Sequence, residues 1–547
     1  MNSPSDKFLA DPNDPLYTST KIAPFDQITC ISQATINTKL TWDWRTNPEL
    51  AVFKVSLGDD PADPDYSVDA TMTAPQVSLI GLNGGTQLYF SLNFKSGTFI
   101  YYTGHRNPVK HTPDMLGWRV TFIVSLDHEQ LDKPDDVPEE IRKRIELPGS
   151  YSIAHLVANF TTAQLTQFVL SESNLGDLDE DGKGSLSICI AKYLSYVASH
   201  KGNILGYAVT ADSTAGYPAP TFPPTAVKFQ IVPFRDENDK AVASHPSNSI
   251  AFLEVTDKEL PKDVLQWSAN WLPPAFDGTM TIAHTNLFNG FFNPKLSMFS
   301  WMVLDELNEL VNWISSTGNP PTPRTWYLSS DNPISNDEAR RKFEQQYPWT
   351  RVSSASTVEY VQSIPEMRNS ASEHFPPMTE DYTWTTNITN KIVCGGPGSN
   401  TITVQVSGRV KLVQTSTRNG RTPSFSTFIT YINLTPQYTL SLIPGTEGKL
   451  DVEPGVSAKP VNVVAADGGI AGWFHENGEA YNKQLSDSYT QKLQSNVDLS
   501  HMLKDIKTAF SLQNSFVFAG NTTFLYKTAN FNAEGDLISG LYYNDGQ

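Results

Sequence analysis

The chain has 547 residues, of which 18% are charged and 11% aromatic, and its 40 basic and 58 acidic residues give a net charge of −18. The length suffices for more than one domain, and the acidic balance excludes a broad nucleic-acid-binding surface, because phosphate backbones bind to positively charged protein surfaces. The charged fraction lies below the usual value of about a quarter. Ser, Thr and Asn supply much of the polarity instead, which favours β-sheet faces over long solvated helices.

The cysteines and the N-terminal residues bear on cellular location. Cys30, Cys189 and Cys394 are far apart and form no Cys-x-x-Cys pair, so we expect buried free thiols in a reducing compartment and no zinc site. The N-terminal residues contain no apolar signal segment, and no stretch of 18 apolar residues occurs. The sequence therefore predicts a cytoplasmic protein without a transmembrane segment.

The first part of the chain is typical of antiparallel sheet. After a polar tail over residues 1–20, residues 25–40 predict a short strand that runs into a helix. Apolar and polar residues alternate over 87–95, and KSG at 95–97 predicts a hairpin turn into a second strand. The same alternation over 118–126 predicts a further strand, so one face of this sheet is expected to be buried and the other solvated.

Helical and strand signals then alternate. Apolar spacing predicts a helix at about 185–200, and residues 226–232 and 249–255 are typical of strands. The longest helical signal covers residues 284–314, in which Pro294 should end or kink a first piece and open a second. Residues 328–380 are polar and irregular, and we predict no order of elements there.

A second β-rich block follows. Alternation predicts strands over 401–413, 425–434 and 438–443, and apolar residues near 495–511 predict a helix. The order of elements indicates an α+β, β-rich protein. The predicted divisions are a flexible tail at 1–20, a first module at 21–270 and a second module at 271–547.

The acidic segment DLDEDGKGSLSI at 177–188 resembles part of a calcium loop. Asp177, Asp179 and Asp181 occupy alternate positions and Gly182 is sixth, as in the first half of an EF-hand loop. Ile188 stands at position twelve, where such a loop needs a bidentate glutamate. The simpler interpretation is an acidic loop that caps the N-terminus of the following helix.

No motif of a catalytic or cofactor-binding site occurs. The chain has no phosphate loop, no Gly-x-Ser-x-Gly elbow and no dinucleotide fingerprint, and GGPGSNT at 395–401 is typical of a turn. We therefore predict no cofactor and identify no catalytic residue. An aromatic stripe remains in the long helical segment. Such a stripe is typical of a core, but a sheet curled around it would leave room for an apolar ligand.

Several stretches resemble the family of the forty-seven-kilodalton protein and the associated Orf-X proteins of clostridial neurotoxin gene clusters. They are ISQATINTKL with TWDW, GGTQLYFSLNFKSGTF, GTMTIAHTNLFNGFFNPKL, TITVQVSGRVKL with GKLDVEPG, and SFVFAGNTTFLYKTANFNAEGDLISGLYY. That family resembles the tubular lipid-binding superfamily. The resemblance implies elongated tubular modules, in which highly twisted antiparallel sheets wrap around long amphipathic helices, and it transfers no catalytic residue.

The resemblance implies a non-catalytic protein that binds a lipid or another apolar ligand in a tubular cavity. One alternative is an accessory protein of a toxin-type complex, and another is a cofactor-free cyclase or isomerase that positions a hydrophobic natural product. The expected partner is a lipid or apolar small molecule and not nucleic acid. Peripheral membrane contact, a protein partner and a homodimer stay open. The candidate ligand-lining residues are Ile36, Leu40, Phe288, Phe292 and Phe299.

Overall fold

The computed structural model describes residues 11, 13–60, 64–79, 85–104, 106–130, 151–163, 168–211, 224–293, 345–353, 357–375, 378–418, 424–434, 437–444, 450–455, 462–466, 516–518 and 522–544. Within these ranges no helix is both long enough and apolar enough to cross a membrane.

Strands dominate the described residues, which confirms the β-rich class predicted from the sequence. In chain order they are β1 Gln27–Ser32, β2 Val52–Leu57, β3 Tyr66–Met72, β4 Gln76–Leu79, β5 Gln87–Thr103, β6 Val109–His111, β7 Arg119–Gln130, β8 Tyr151–Asn159, β9 Ile204–Ala211, β10 Ala226–Val232, β11 Ser249–Val255, β12 Gly278–Ile282, β13 Thr350–Ser353, β14 Val358–Phe375, β15 Met378–Cys394, β16 Thr401–Arg418, β17 Ser424–Leu434, β18 Gln437–Pro444, β19 Leu450–Gly455, β20 Asn462–Ala466, β21 Phe516–Phe518, β22 Thr522–Tyr526, β23 Asn530–Phe531 and β24 Leu537–Asn544.

The described helices are few and short compared with the sheets. The α-helices are α1 Pro15–Thr18, α2 Gln33–Thr46 and α3 Glu180–Ser199, with 3-10 turns at Pro48–Ala51 and Phe160–Thr162 and a π-helical segment at Thr285–Phe292.

Sixteen of the described strands form one curled half-barrel sheet. Its main path is β10-β11-β1-β12-β24-β22-β21-β9-β8-β7-β5-β3-β2. β1 lies between β11 and β12 in antiparallel register, and β24 from the C-terminal end pairs with β12. Strands from both sides of residue 270 therefore share this sheet, so a division into modules at 21–270 and 271–547 is not a division between sheets.

The other eight described strands form a second antiparallel sheet around three long strands, β14, β15 and β16. β14 lies within residues 328–380, where we predicted no elements, and β15 begins there and extends to Cys394. Val358, Tyr360, Gln362 and Ile364 are the buried face at the start of β14. Gln362 is the one polar residue on this buried face. Its burial is tolerated because its amide N–H donates a hydrogen bond to the carbonyl of Tyr347 at 2.8 Å.

The hairpin predicted at 95–97 is wrong, because β5 continues through this segment as one strand. The register against β3 shifts so that Thr71 faces Ser96 while Met72 faces Phe94, which leaves Lys95 as the extra residue of a β-bulge. Gly97 has a φ of +148°, and a Cβ there would lie 2.3 Å from the Cβ of Ala70. The glycine therefore serves close strand approach and not a turn.

The predicted loose tail at 1–20 is wrong for its second part. Asp14 caps α1 by accepting the backbone N–H of Leu16 at 2.9 Å. Leu16 and Tyr17 are buried and cluster with Ile538 of β24. The tail is thus fixed to the larger sheet by two apolar side chains that local composition alone did not mark as buried.

Helices α2 and α3 pack against the first sheet. Helix α2 follows β1 directly, as predicted from residues 25–40, because Ser32 caps it by accepting the N–H of Thr35 at 2.9 Å. In α3, the ring of Tyr193 stacks on Phe53 of β2 at a centroid distance of 4.6 Å. Both helices contribute to one large hydrophobic cluster. The helices predicted beyond residue 293 and near 495–511 lie outside the described residues.

Candidate functional site

Both faces of the sheet around β1 are covered, and they differ in composition. Alternate residues of one strand point to the same face, and so do residues that pair across antiparallel strands. Thr29 and Ile31 therefore share a face, here called the inner face, which contributes to the large cluster. Ile28 and Cys30 point to the opposite, outer face, where a separate smaller cluster forms. Any site on one face is thus isolated from the other by the sheet itself.

A carboxylic acid lies on the inner face with no access to solvent. Glu254 of β11 has a relative exposure of 0% and is paired in register with Gln27 of β1. The amide Nε2 of Gln27 donates a hydrogen bond to Oε2 of Glu254. Burial raises the pKa of Glu254 well above 4.5, and the neighbouring Gln27 and Thr29 side chains offset part of that effect. The protonated acid is therefore the favoured form in this setting.

Three polar atoms beside this acid lack a hydrogen-bond partner at good geometry, although the Thr29 hydroxyl lies close enough to Glu254 to lower its pKa. They are Oε1 of Glu254, Oε1 of Gln27 and Oγ1 of Thr29, and each is buried. Leaving a buried polar atom unsatisfied typically costs about 1–3 kcal/mol. We call Gln27, Thr29 and Glu254 the Glu254 group. Three such atoms on one face of two adjacent strands indicate a position where a further polar group would be stabilised.

The surroundings of the Glu254 group are apolar. Phe252 and Met280 pair with Thr29 from either side, so all three share the inner face. The hydroxyl of Tyr526 donates to Sδ of Met280 at 3.0 Å. Burial, with a further contribution from Glu254, raises the pKa of Tyr526, so its phenol stays neutral. The Glu254 group is thus a small set of polar side chains surrounded by apolar ones. Pockets for lipids and small molecules are usually lined by such a mixture.

The structure places four of the five predicted ligand-lining residues in the large cluster. Ile36 and Leu40 lie on the buried side of α2, and Phe288 and Phe292 lie in the π-helical segment. These last two rings have centroids 5.6 Å apart, and Phe288 also stacks on Tyr360 of β14 at 4.7 Å. Phe299 lies outside the described residues. All four are buried core residues, and their contact with a ligand stays a prediction.

The acidic segment at 177–181 caps a helix. Asp179 accepts the backbone N–H of Gly182 at 2.7 Å and is the N-cap of α3, and Asp181 lies in the first helical turn. Asp177 is exposed. Over the described part of the chain, no group of three or more His, Cys, Asp or Glu side chains is arranged to hold a metal ion. The capping interpretation of the sequence is confirmed, and the calcium interpretation has no ligand cluster to support it.

Replacing Asp179 with alanine should lower the free energy of unfolding by about 1 kcal/mol, because the N–H of Gly182 loses its acceptor. Urea unfolding of the two proteins measures the difference. Asp177→Ala is the matched control and should change the free energy by less than about 0.5 kcal/mol. Equal losses in both variants would contradict the capping role, and stabilisation of the wild type by added calcium would restore the calcium interpretation.

The sequence did not predict one buried ion pair and one partly buried histidine–carboxylate hydrogen bond. In α2, the ammonium of Lys39 contacts the carboxylate of Asp43 and donates to the carbonyl of Ile204 at 2.5 Å. At the start of the π-helical segment, Nδ1 of His284 lies 2.8 Å from Oδ1 of Asp536. The spacing of four residues is compatible with a Lys39–Asp43 ion pair in a helix, but the sequence does not indicate the burial of either contact. Cys30, Cys189 and Cys394 are free and buried, as predicted.

The solved structures to which the chain is similar include the following three. P47 from Clostridium botulinum A2 is 12% identical over 96% of this chain and 98% of that chain, with a TM-score of 0.43. P47 of Clostridium botulinum E1 is 10% identical over 95% and 99%, with a TM-score of 0.44. A lipopolysaccharide binding protein is 9% identical over 95% and 99%, with a TM-score of 0.27.

No protein-family model matches the chain, and no curated protein matches its sequence. At identities this low, the neighbours assign no ligand and no activity to this chain.

Proposed function

We propose that the protein binds a lipid or another apolar ligand against the inner face of the larger sheet. The observation that carries this proposal is the Glu254 group, a set of unpartnered polar atoms within an apolar wall. An apolar ligand is held by the area that it buries, at about 25 cal/mol per Å². A few polar atoms in the wall then fix its orientation.

The chemistry of the Glu254 group favours a ligand with a hydroxyl group. The protonated Glu254 side chain can donate a hydrogen bond, whereas Oε1 of Gln27 is an acceptor and cannot donate. A hydroxyl can do both at once, whereas a carboxylate cannot donate. Alcohol-bearing lipids such as sterols or acylglycerols with a free hydroxyl therefore fit better than triacylglycerols.

Native mass spectrometry of the full chain, followed by organic extraction and lipid analysis, tests the proposal. We expect either a stoichiometric co-purified ligand or uptake from a panel of cholesterol, monoacylglycerol and diacylglycerol, with triacylglycerol as the comparison that lacks a hydroxyl. An apo mass with no uptake from the whole panel would contradict ligand binding, and the inner face would then be filled by the protein itself.

Two threonines provide a matched pair of variants. Thr29→Val removes a hydroxyl from the Glu254 group and should weaken uptake of the hydroxyl-bearing lipids by about three- to tenfold, as expected for one hydrogen bond. Thr281 of β12 is equally buried and also has an unpartnered hydroxyl, but it pairs with Ile28 and so lies on the outer face. Thr281→Val should leave uptake unchanged. Equal effects of both variants would remove the Glu254 group from the binding site.

A further inference from the structure

The outer face carries a concave feature at the β10 edge of the larger sheet. It is a cleft of about 270 Å³ between the end of β10 and the segment 264–271 that crosses over it. Because Gln230 alternates with Ile231 of the inner face, the sheet separates this cleft from the Glu254 group. The lining residues that matter here are Gln230, Arg235, Val264, Leu265, Trp267 and Trp271.

Two side-chain amides fix the width of the cleft. Gln230 accepts the backbone N–H of Leu265 at 2.7 Å and donates to its carbonyl at 2.9 Å. Asn270 brackets the backbone of Arg235 in the same way, at 2.9 and 2.8 Å. Both amides thereby imitate strand pairing along an edge strand. The crossing segment is held at two points on opposite ends of the cleft, so the cleft is formed before any ligand arrives.

Two residues that line the cleft carry buried donors without acceptors. Trp271 is 1% exposed, and its indole Nε1 has no hydrogen-bond partner. The Nε of Arg235 is also buried and unpartnered, while Nη1 of the same guanidinium lies 3.2 Å from Oδ1 of Asp239. Indole and guanidinium groups have donors and no acceptors. A molecule that satisfies both must therefore bring acceptor atoms.

The mouth of the cleft is aromatic and accessible. Trp267 is 36% exposed, and the guanidinium carbon of Arg235 lies 4.6 Å from the centre of its ring. Val264 is exposed beside it. The cation–π contact orients the guanidinium above the ring. A flat apolar body could contact Trp267 and Val264 while an attached oxyanion reaches the donors below.

We propose that this cleft binds a small molecule that joins an apolar or aromatic body to a carboxylate or phosphate group. The oxyanion accepts hydrogen bonds from the indole N–H of Trp271 and from the guanidinium of Arg235. The exposed carboxylate of Asp239 holds Arg235 only weakly, since surface ion pairs contribute little, so the bound anion can replace it. The cleft volume of about 270 Å³ suits a small molecule with one apolar body and one acidic group, or the headgroup end of a larger anionic lipid.

Isothermal titration of the full chain with benzoate, phenyl phosphate and benzyl alcohol tests the donor chemistry. We expect the two anions to bind and benzyl alcohol, which has the same body and no charge, to bind at least tenfold more weakly. Absence of binding by either anion at millimolar concentration would overturn the proposal. Binding of the alcohol as tightly as the anions would overturn the oxyanion assignment.

Two variants and a matched control locate the binding. Trp271→Phe keeps the ring and removes the N–H, and Arg235→Met removes the guanidinium. Each should weaken anion binding by about tenfold, as expected for a hydrogen bond to a charged group. Trp44→Phe removes a buried indole N–H from the large cluster on the inner face, on the other side of the sheet from the cleft, and should not change binding. Binding that survives both cleft variants unchanged would place the anion elsewhere and overturn the proposal.

Vesicles distinguish the source of the oxyanion. Co-sedimentation with phosphatidic acid vesicles but not with phosphatidylcholine vesicles, lost in Trp271→Phe, would identify a lipid headgroup as the ligand. Binding of the soluble anions without vesicle binding would identify a free small molecule. Either result supports the site, because both depend on the same two donors.

Discussion

Replacing Lys39 with methionine is expected to lower the free energy of unfolding by about 3–5 kcal/mol, the usual loss when one partner of a buried ion pair is removed. Lys39 is 0% exposed, and its ammonium contacts both Asp43 and the carbonyl of Ile204. The variant leaves a buried carboxyl whose pKa burial already raises and which Lys39 helps to keep ionised. It also leaves the Ile204 carbonyl without this donor. Guanidinium unfolding of both proteins at neutral pH measures the loss.

An exposed pair elsewhere in the sheet is the control for Lys39. Lys54 and Asp69 lie 3.1 Å apart, with side chains 73% and 69% exposed. Lys54→Met should therefore change the free energy of unfolding by less than about 1 kcal/mol. The double variant Lys39→Met with Asp43→Asn should recover part of the loss, since it removes the uncompensated charge. If Lys39→Met costs no more than Lys54→Met, burial does not govern this contact.

Replacing Glu254 with glutamine is expected to remove a pH dependence of stability. The folded-state pKa of Glu254 is raised above the value of 4.5 that applies in the unfolded chain. The folded protein therefore binds more protons between these two pKa values, and the free energy of unfolding falls as pH rises through that window. One such group contributes a slope of about 1.4 kcal/mol per pH unit. Glutamine has no proton to lose, so the variant should lack this slope.

Urea unfolding of the wild type and Glu254→Gln at several pH values between 5 and 8 measures the effect. The free energy of the variant minus that of the wild type should increase with pH between the unfolded and folded pKa values, because only the wild type loses a proton there. Glu237→Gln is the control, because Glu237 is exposed in a loop, and its difference from the wild type should not change with pH. A pH-independent difference for Glu254→Gln would show that its carboxyl group is not buried in the folded state.

Local pattern predicted those elements whose sequence carries a period and a boundary. The strands predicted at 226–232 and 249–255 match β10 and β11 residue for residue. The helix predicted at about 185–200 is α3, and the Asp-rich segment before it supplies the cap, because a helix N-terminus needs acceptors for its free N–H groups. The turn predicted at 395–401 lies between β15 and β16.

The errors of prediction have a common physical cause, which is that partners distant in sequence decide local structure. KSG at 95–97 has turn composition, yet pairing with β3 holds it in a bulged strand. Residues 1–20 are polar and rich in Pro and Asp, yet Leu16 and Tyr17 are buried in a cluster with Ile538 of β24. Neither outcome could be predicted without the strand order, which joins β24 to β12 and β12 to β1.

The sequence by itself determined the β-rich class, the positions of several strands and of helices α2 and α3, and the absence of common catalytic motifs. These follow from periodicity, capping chemistry and spacing, which are properties of neighbours along the chain. Tertiary structure alone decided that Gln27, Thr29 and Glu254 meet on one face and that Arg235 and Trp271 line one cleft. All seven residues of β11 are buried, so alternation cannot tell which side Glu254 takes or whether it is exposed. Only the register between strands more than 200 residues apart in sequence fixes that environment, and with it the protonation and the hydrogen-bonding capacity of the acid.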